Sequence, residues 1–192
     1  MKTGRRKIYW DTTCWLAWLN GEGTDVWPAP VVQGIKDVVE EVEIGRAVLF
    51  TSSLTRGEIY QGRLSQQQRD MFAALMRRRN VREINADSRI MDRASSIREH
   101  HDNPIEKRKI STPDATHLAT AILYEADEFQ TMDGLQKGGS NKRKLIALSG
   151  NVAGYPLKII QPYPLNAPPP AELVGIDGPL LEKARQDSES EN

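Results

Sequence analysis

Residues 7–19 read Lys-Ile-Tyr-Trp-Asp-Thr-Thr-Cys-Trp-Leu-Ala-Trp-Leu, and this stretch decides the fold class. Lys7–Trp10 is short, apolar and rich in β-forming residues, which predicts a strand. Asp11 is a typical helix cap, and the apolar residues from Cys14 to Leu19 predict a helix after it. A strand that leads through a polar cap into a helix is the opening unit of an α/β fold.

The same order of elements recurs along the chain. Apolar runs predict further strands at 47–51, 81–84, 128–131 and 157–160. The five predicted strands are separated by helical segments or long connections, which is typical of a parallel sheet with both faces covered. The predicted fold is therefore α/β, a three-layer α/β/α sandwich with a mainly parallel five-stranded sheet.

Two segments fall outside this pattern. Residues 21–45 contain a Trp-Pro-Ala-Pro turn and then apolar residues at helical spacing, which predict an amphipathic helix inserted between the first two strands. From Pro162 the chain is rich in proline and ends in a polar, acidic run, which predicts an extended, partly disordered tail. We therefore expect one domain over 1–161 and a tail over 162–192.

Composition limits the classes of function. The 192 residues include 26 Lys plus Arg and 26 Asp plus Glu, so no global charge attracts the protein to nucleic acid or membrane. The single cysteine, Cys14, cannot form an intramolecular disulfide, and we expect it to be a small buried hydrophobe in a cytoplasmic protein. Asp11 and Asn20 interrupt the N-terminal apolar stretch, so we expect neither a signal peptide nor a membrane span.

Four acidic residues stand where sites form in open α/β sheets, beyond the carboxyl ends of strands. Asp11 follows the first predicted strand and Asp133 follows the fourth. Glu58 and Asp114 are expected in the opening turns of helices that leave the same edge. Because clustered carboxylates repel one another, a divalent cation is needed to hold them together, and Mg²⁺ or Mn²⁺ suits oxygen ligands best.

Each acid also has a local interpretation. Asp114 could simply favour the helix dipole, an effect of about 0.3–1 kcal/mol. Glu58 stands at capping-box spacing from Thr55, and it is free for another role only if an earlier serine caps that helix. Asp11 could be an ordinary cap, and Asp133 could begin a glycine turn. Their joint occurrence at matching edges of successive elements favours a functional site.

Four motifs carry a resemblance to a known family. They are Ile-Tyr-Trp-Asp-Thr at 8–12, Ser-Leu-Thr-Arg-Gly-Glu at 53–58, Pro-Asp-Ala-Thr-His-Leu-Ala-Thr-Ala at 113–121, and Thr-Met-Asp at 131–133. In this order and spacing the sequence resembles a PIN domain, specifically the VapC-like toxin ribonucleases, over roughly residues 7 to 161. The third motif is the most specific.

The resemblance implies an acidic pocket that binds Mg²⁺ or Mn²⁺, endonucleolytic cleavage of RNA, and often a homodimer neutralised by a small antitoxin. The matching positions for the metal site are Asp11, Glu58, Asp114 and Asp133, and Thr12 and Thr131 are candidate supporting hydroxyls. His117, one helical turn after Asp114, could face the same pocket and touch phosphate, or it could be a packed neighbour. The alternative is a catalytically silent PIN-like module that binds nucleic acid or protein, although the presence of all four acids disfavours it.

Local basic clusters would have to hold the RNA. Lys107, Arg108 and Lys109 precede the Asp114 helix, and the stretch 137–144 contains Lys137 and Lys142. We expect these two clusters to contact phosphate, because both adjoin the predicted site. For Arg77–Arg79, near a predicted helix end, we expect only a solvated charged surface. A phosphohydrolase of the haloacid-dehalogenase type is disfavoured, because it needs an acid where Thr13 stands.

Overall fold

The computed structural model describes residues 4–62, 64–102, 109–133 and 145–167. The strands are β1 (Arg6–Trp10), β2 (Ala47–Ser52), β3 (Val81–Ile84), β4 (Glu128–Gln130) and β5 (Ile159–Ile160). The helices are α1 (Thr12–Leu19), α2 (Ala29–Glu43), α3 (Ser53–Gln61), α4 (Gln66–Met76), α5 (Ser88–His101) and α6 (Thr112–Leu123), and a 3-10 turn spans Leu145–Leu148. Within these ranges no helix has both the length and the apolar character that a membrane crossing requires.

The five strands form one sheet in the order β3-β2-β1-β4-β5, and every neighbouring pair is parallel. This confirms the predicted parallel five-stranded sheet. The chain runs outward from β1 in both directions, because β1 pairs with β2 on one side and with β4 on the other. The place where the strand order reverses in this way is the topological switch point of the sheet. A crevice forms there, outside the carboxyl ends of the two adjacent strands.

Hydrophobic residues cover both faces of the sheet, which confirms the three-layer sandwich. Ile8 and Trp10 of β1 point into a cluster formed with α1, α2 and α4. Tyr9, between them in sequence, points into the opposite cluster, formed with α5 and α6. The alternation follows from the period of two along a strand, and it places β1 at the centre of both cores.

Helix α2 is an integral part of the first core. The predicted helix between the first two strands is present, and it buries Val31, Ile35, Val38 and Val42 against β1 and β2. Gly34, on the same helix, meets the chain after β5 so closely that an added Cβ would lie 2.1 Å from the backbone nitrogen of Tyr163. The segment predicted to be an insertion therefore forms one layer of the domain.

The chain remains packed beyond the predicted domain end at residue 161. The Tyr163 hydroxyl donates to Oε1 of Glu128 at 3.0 Å, and the Leu165 backbone N–H donates to Oδ2 of Asp37 at 3.1 Å. These contacts attach the first residues of the proline-rich segment to β4 and α2. The rest of the predicted tail, 168–192, lies outside the described residues.

A buried carboxylate joins the amino ends of three strands. Glu128, whose side chain is 8% exposed, accepts from Arg6 Nη2 at 2.7 Å and from Lys158 Nζ at 3.0 Å. Burial alone would raise the pKa of Glu128, but the charges and hydrogen bonds of Arg6 and Lys158 outweigh it and lower the pKa. Arg6 also pairs with Glu41 of α2 at 2.8 Å, so the network connects the sheet to that helix.

We expect Gly34→Ala to destabilise the protein although alanine is the better helix former. The new methyl group would meet backbone atoms of Pro162 and Tyr163 that cannot move aside cheaply, so the loss should be about 1–3 kcal/mol. Gly57→Ala in α3 is the matched control: nothing lies within 4 Å of its added Cβ, so it should gain about 0.5–1 kcal/mol. Denaturant unfolding measures both, and a Gly34→Ala protein as stable as wild type would contradict the close approach.

We expect Glu128→Gln to lower the free energy of unfolding by about 1–3 kcal/mol at neutral pH, because it leaves Arg6 and Lys158 without their shared carboxylate. A carboxylate whose folded pKa is lowered stabilises the fold above its unfolded pKa, about 4.3, and this stability is lost as the pH falls through the folded pKa. The difference between wild type and variant should therefore shrink below about pH 4.3. Urea unfolding at several pH values measures it, and a difference independent of pH would refute the ion pairing.

Candidate active site

A cavity of about 310 Å³ opens where β1 and β4 end. Asp11, Asp114 and Asp133 line it, and they come from the end of β1, the first turn of α6 and the end of β4. Its other lining residues are Thr13, Leu16, Ala17, Glu22, Trp27, Met132 and Leu145. The structure thus brings three of the four predicted acids to one cavity at the switch point of the sheet.

Asp11 caps α1 and is almost fully buried, at 5% exposure. Its Oδ1 accepts from the Cys14 backbone N–H at 3.1 Å and from the Thr13 hydroxyl at 2.6 Å. Burial raises the pKa of Asp11, and the hydrogen bonds of Thr13 and Thr131 only partly oppose this. The protein therefore compensates the negative charge of ionised Asp11 only in part.

Asp114 combines a local hydrogen bond with a place in the cavity. The cap of α6 is Ser111, and it accepts from the Asp114 backbone N–H at 3.1 Å. The Ser111 hydroxyl donates to Oδ2 of Asp114 at 2.6 Å. Among the described residues nothing donates to Oδ1, so this oxygen is available to a ligand in the cavity.

Asp133 and Thr131 form the β4 side of the cavity. The Asp133 backbone N–H donates to the Thr131 hydroxyl oxygen at 2.9 Å, and the Leu145 backbone N–H donates to Oδ2 of Asp133 at 3.4 Å. The Thr131 hydroxyl lies 3.4 Å from that of Thr13, which connects the ends of β1 and β4. Thr131 is thus placed beside two of the acids that the cavity contains.

Glu58 is not one of the residues that line this cavity. Ser52 caps α3 by accepting from the Leu54 backbone N–H at 3.2 Å, so Thr55 is not the cap and Glu58 is free of a capping box. This earlier cap places Glu58 in the second turn of α3, whereas we predicted the opening turn. Thr55 instead receives a hydrogen bond from Thr51 at 2.8 Å.

Thr12 and His117 hold the Glu58 carboxylate. Both donate to the same oxygen, Oε2: Thr12 through its hydroxyl and His117 through Nε2 at 3.1 Å. Burial would raise the pKa of Glu58, but the hydrogen bonds of His117 and Thr12 outweigh it and lower the pKa. Glu58 is therefore ionised at neutral pH, with one oxygen fixed by two donors.

His117 is a packed neighbour rather than a residue exposed to the cavity. It is 3% exposed, and its Nδ1 lies 2.7 Å from the hydroxyl of Tyr9. The predicted position one turn after Asp114 is correct, but the ring points to Tyr9 and Glu58. Of the two alternatives that the sequence left open, the structure has the packed one.

Sequence reasoning missed Thr13, Glu22 and Tyr9. Thr13, which donates to Asp11, also accepts from the Met132 backbone N–H at 2.9 Å and so joins the loops after β1 and β4. Its signal was present in the Asp-Thr-Thr run, where we selected Thr12 instead. Glu22 follows α1 and accepts from the indole N–H of Trp27, and no motif indicated its place in the cavity.

Cys14 is fully buried, and its burial raises the pKa of the thiol. A thiol with a raised pKa stays protonated and is a poor nucleophile at neutral pH. This agrees with the expectation that Cys14 is a small buried residue.

The donors at the cavity fit a hard divalent cation in their chemistry. They are carboxylates and hydroxyls, the oxygen ligands that Mg²⁺ and Mn²⁺ prefer, and a cation would compensate the charge of Asp11. Within the described ranges, however, no group of three or more histidine, cysteine, aspartate or glutamate side chains is arranged so that it could hold a metal ion. The carboxylates would have to approach one another when an ion binds.

One of the five predicted RNA-binding residues is described. Lys109 is exposed and lines a different cavity, of about 180 Å³, together with Ser95, Arg98, Glu99, Asp102 and Ile110. Lys107, Arg108, Lys137 and Lys142 lie outside the described residues.

Three solved structures are similar to this chain. A toxin–antitoxin complex from Klebsiella pneumoniae has a TM-score of 0.50 at 19% identity, covering 81% of this chain and 98% of that one. VapC20 from Mycobacterium tuberculosis, a Sarcin-Ricin loop cleaving toxin, has a TM-score of 0.48 at 20% identity, covering 67% and 91%. VapBC2 from Rickettsia felis, bound to a promoter DNA fragment, has a TM-score of 0.49 at 12% identity, covering 65% and 86%. Because all three sequence identities are 20% or lower, the similarity concerns the fold alone.

No curated protein matches the chain significantly. The sequence model of the PIN domain matches residues 8–137, a range that contains all four predicted acids and more than half of the chain. Because this match and the parallel α/β/α architecture agree, the chain belongs to the PIN-domain family.

Proposed function

We propose that this protein is an endoribonuclease that hydrolyses RNA phosphodiester bonds with the help of Mg²⁺ or Mn²⁺. One observation carries the proposal: Asp11, Asp114 and Asp133 come from three separate elements and line one cavity at the switch point of the sheet. Acidic residues that serve only as caps need not share a cavity, whereas a metal-dependent nuclease requires such a grouping.

Asp11, Asp114 and Asp133 would hold the ion. When bound, the ion supplies the positive charge that phosphodiester hydrolysis needs at the phosphoryl oxygens. The Thr13 hydroxyl keeps the Asp11 carboxylate oriented. Glu58, ionised and held at Oε2, can accept a proton from the water that attacks the phosphodiester.

The toxin role and the partners belong to the same proposal. The chain belongs to the PIN-domain family and is similar in fold to a toxin–antitoxin complex, and on this basis we propose an RNA-cleaving toxin of the cytoplasm with a small antitoxin protein as partner. The proposal also includes a homodimer. The exposed apolar side chains of Val26, Ile44, Tyr60 and Met91 offer surface for such contacts.

One observation favours the alternative, a catalytically silent module that binds nucleic acid or protein. In the part of the chain that the structure describes, the acids are not gathered as a ready metal site. The two functions differ in whether Mg²⁺ or Mn²⁺ draws the carboxylates together, so cleavage assays separate them.

We expect Asp114→Asn to reduce RNA cleavage by about 10²–10³-fold, because it removes a charged ligand worth several kcal/mol in the transition state. Asparagine keeps the shape of the side chain, so the helix start should survive. Asp87→Asn is the matched control, since Asp87 also stands at a helix start but lies apart from the cavity. Cleavage of mixed structured RNAs with Mg²⁺ or Mn²⁺ is measured beside circular dichroism of each protein.

Excess EDTA should abolish cleavage by the wild type, and added Mg²⁺ or Mn²⁺ should restore it. Alkylation of thiols should spare the reaction, because Cys14 is buried. Cleavage that persists in EDTA, or in a folded Asp114→Asn protein, would refute the proposed metal site. If wild type binds RNA but cuts nothing with any metal, the silent-module alternative replaces the nuclease.

We expect the triple variant of Lys107, Arg108 and Lys109 to glutamine to bind RNA more weakly and with less salt dependence. Each lost phosphate contact should reduce the slope of log K against log salt by about 0.7. The same change at Arg77, Arg78 and Arg79 is the control, because it removes equal charge from a surface where we predict no RNA. Filter binding of single-stranded RNA at several salt concentrations measures both slopes, and equal losses would contradict the assignment.

A further inference from the structure

A continuous row of hydrogen bonds lies behind Glu58. The Tyr9 hydroxyl contacts Nδ1 of His117 at 2.7 Å, and Nε2 of His117 contacts Oε2 of Glu58 at 3.1 Å. Tyr9 belongs to β1, His117 to α6 and Glu58 to α3, so three rigid elements meet in this row. Tyr9 is fully buried and His117 is 3% exposed, so bulk water does not compete for these bonds.

The direction of each hydrogen bond follows from the chemistry of the partners. An ionised carboxylate only accepts, so Nε2 of His117 carries a proton and donates it to Glu58. In the neutral ring Nδ1 is then an acceptor, and the Tyr9 hydroxyl donates to it.

The two oxygens of Glu58 have different surroundings. Both donors, Thr12 and His117, end on Oε2. Among the described residues nothing donates to Oε1, and the Glu58 side chain remains 27% exposed. One oxygen is therefore fixed while the other is accessible.

We propose that Tyr9 and His117 are positioning residues that fix Oε2 of Glu58 and thereby present Oε1 to the attacking water. This role rests on the proposed nuclease function, and it extends that function to two residues that touch neither RNA nor metal. A general base works efficiently only when its accepting oxygen is held in reach of the proton that it takes. The hydrogen bonds from Tyr9 to His117 and from His117 to Glu58 fix Oε2 from the core of the domain.

A pair of variants at residue 117 tests the role. His117→Gln places an amide N–H near the position of Nε2, whereas the shorter His117→Asn reaches only the position of Nδ1. We expect His117→Asn to lower kcat by about 10–100-fold with KM within about twofold, and His117→Gln to retain most of kcat. If packing alone mattered, glutamine would not rescue the reaction.

Tyr9→Phe tests the far end of the row. Phenylalanine keeps the ring stacked on Phe129, whose centroid lies 5.2 Å away, and removes only the hydroxyl. Kcat should fall as in His117→Asn. Tyr124→Phe, the same change at a tyrosine that packs against the same hydrophobic cluster, is the control and should leave kcat unchanged.

A second measurement needs neither RNA nor metal. Long-range ¹H–¹⁵N correlation spectra of the wild type should show His117 as the Nε2–H tautomer, and Tyr9→Phe should shift the Nδ1 resonance because this nitrogen loses its hydrogen-bond donor. A wild type that cleaves no RNA would refute the nuclease function, while the tautomer would still decide whether the row exists. An Nδ1–H tautomer, equal kcat in His117→Asn and His117→Gln, or a loss confined to KM would overturn the proposal.

Discussion

β1 is hydrogen-bonded to a parallel strand along both of its edges, and the candidate site depends on this central position. β2 and β4 lie on opposite sides of β1, so the connections on the two sides turn away from each other. The chain beyond Trp10 therefore enters a crevice at the carboxyl ends of β1 and β4. Asp11, the next residue, is buried there as soon as the strand ends. The same strand directs Tyr9 to the opposite face, where α6 carries His117. β1 thus leads to Asp11 in the cavity and, through the contact of Tyr9 with His117, also supports Glu58.

Buried carboxylates at the two ends of the sheet have pKa values shifted in opposite directions. At the amino ends, Glu128 is paired with Arg6 and Lys158, and these cations lower its pKa. At the carboxyl ends, burial raises the pKa of Asp11, and the hydrogen bonds of Thr13 and Thr131 only partly oppose this. A carboxylate that the protein buries without full compensation is typical of a functional site, because a ligand can supply the missing charge. The Glu128 network instead stabilises the fold.

Regular patterns made the fold and most of the acids predictable from the sequence. Each strand was visible as an apolar run, and the acids were found because parallel strands end at one edge. Packing partners were not predictable in this way. The apolar face of α2 did not reveal that it completes the first core. The meeting of Tyr9 with His117 joins residues 108 positions apart, and the choice between Ser52 and Thr55 as the α3 cap depends on where β2 ends.

The local roles of the acids and their place in the cavity do not exclude each other. Asp11 caps α1, and Asp114 lies in the first turn of α6, where its charge favours the helix dipole, as their local interpretations require. Both helices begin at the same edge of the sheet because each α/β unit turns there, and a residue at such a turn necessarily adjoins the crevice. Capping fixes the backbone of Asp11 and uses its Oδ1, which leaves Oδ2 free of the capping bond. The geometry that makes an aspartate a good cap therefore also suits the cation that we propose.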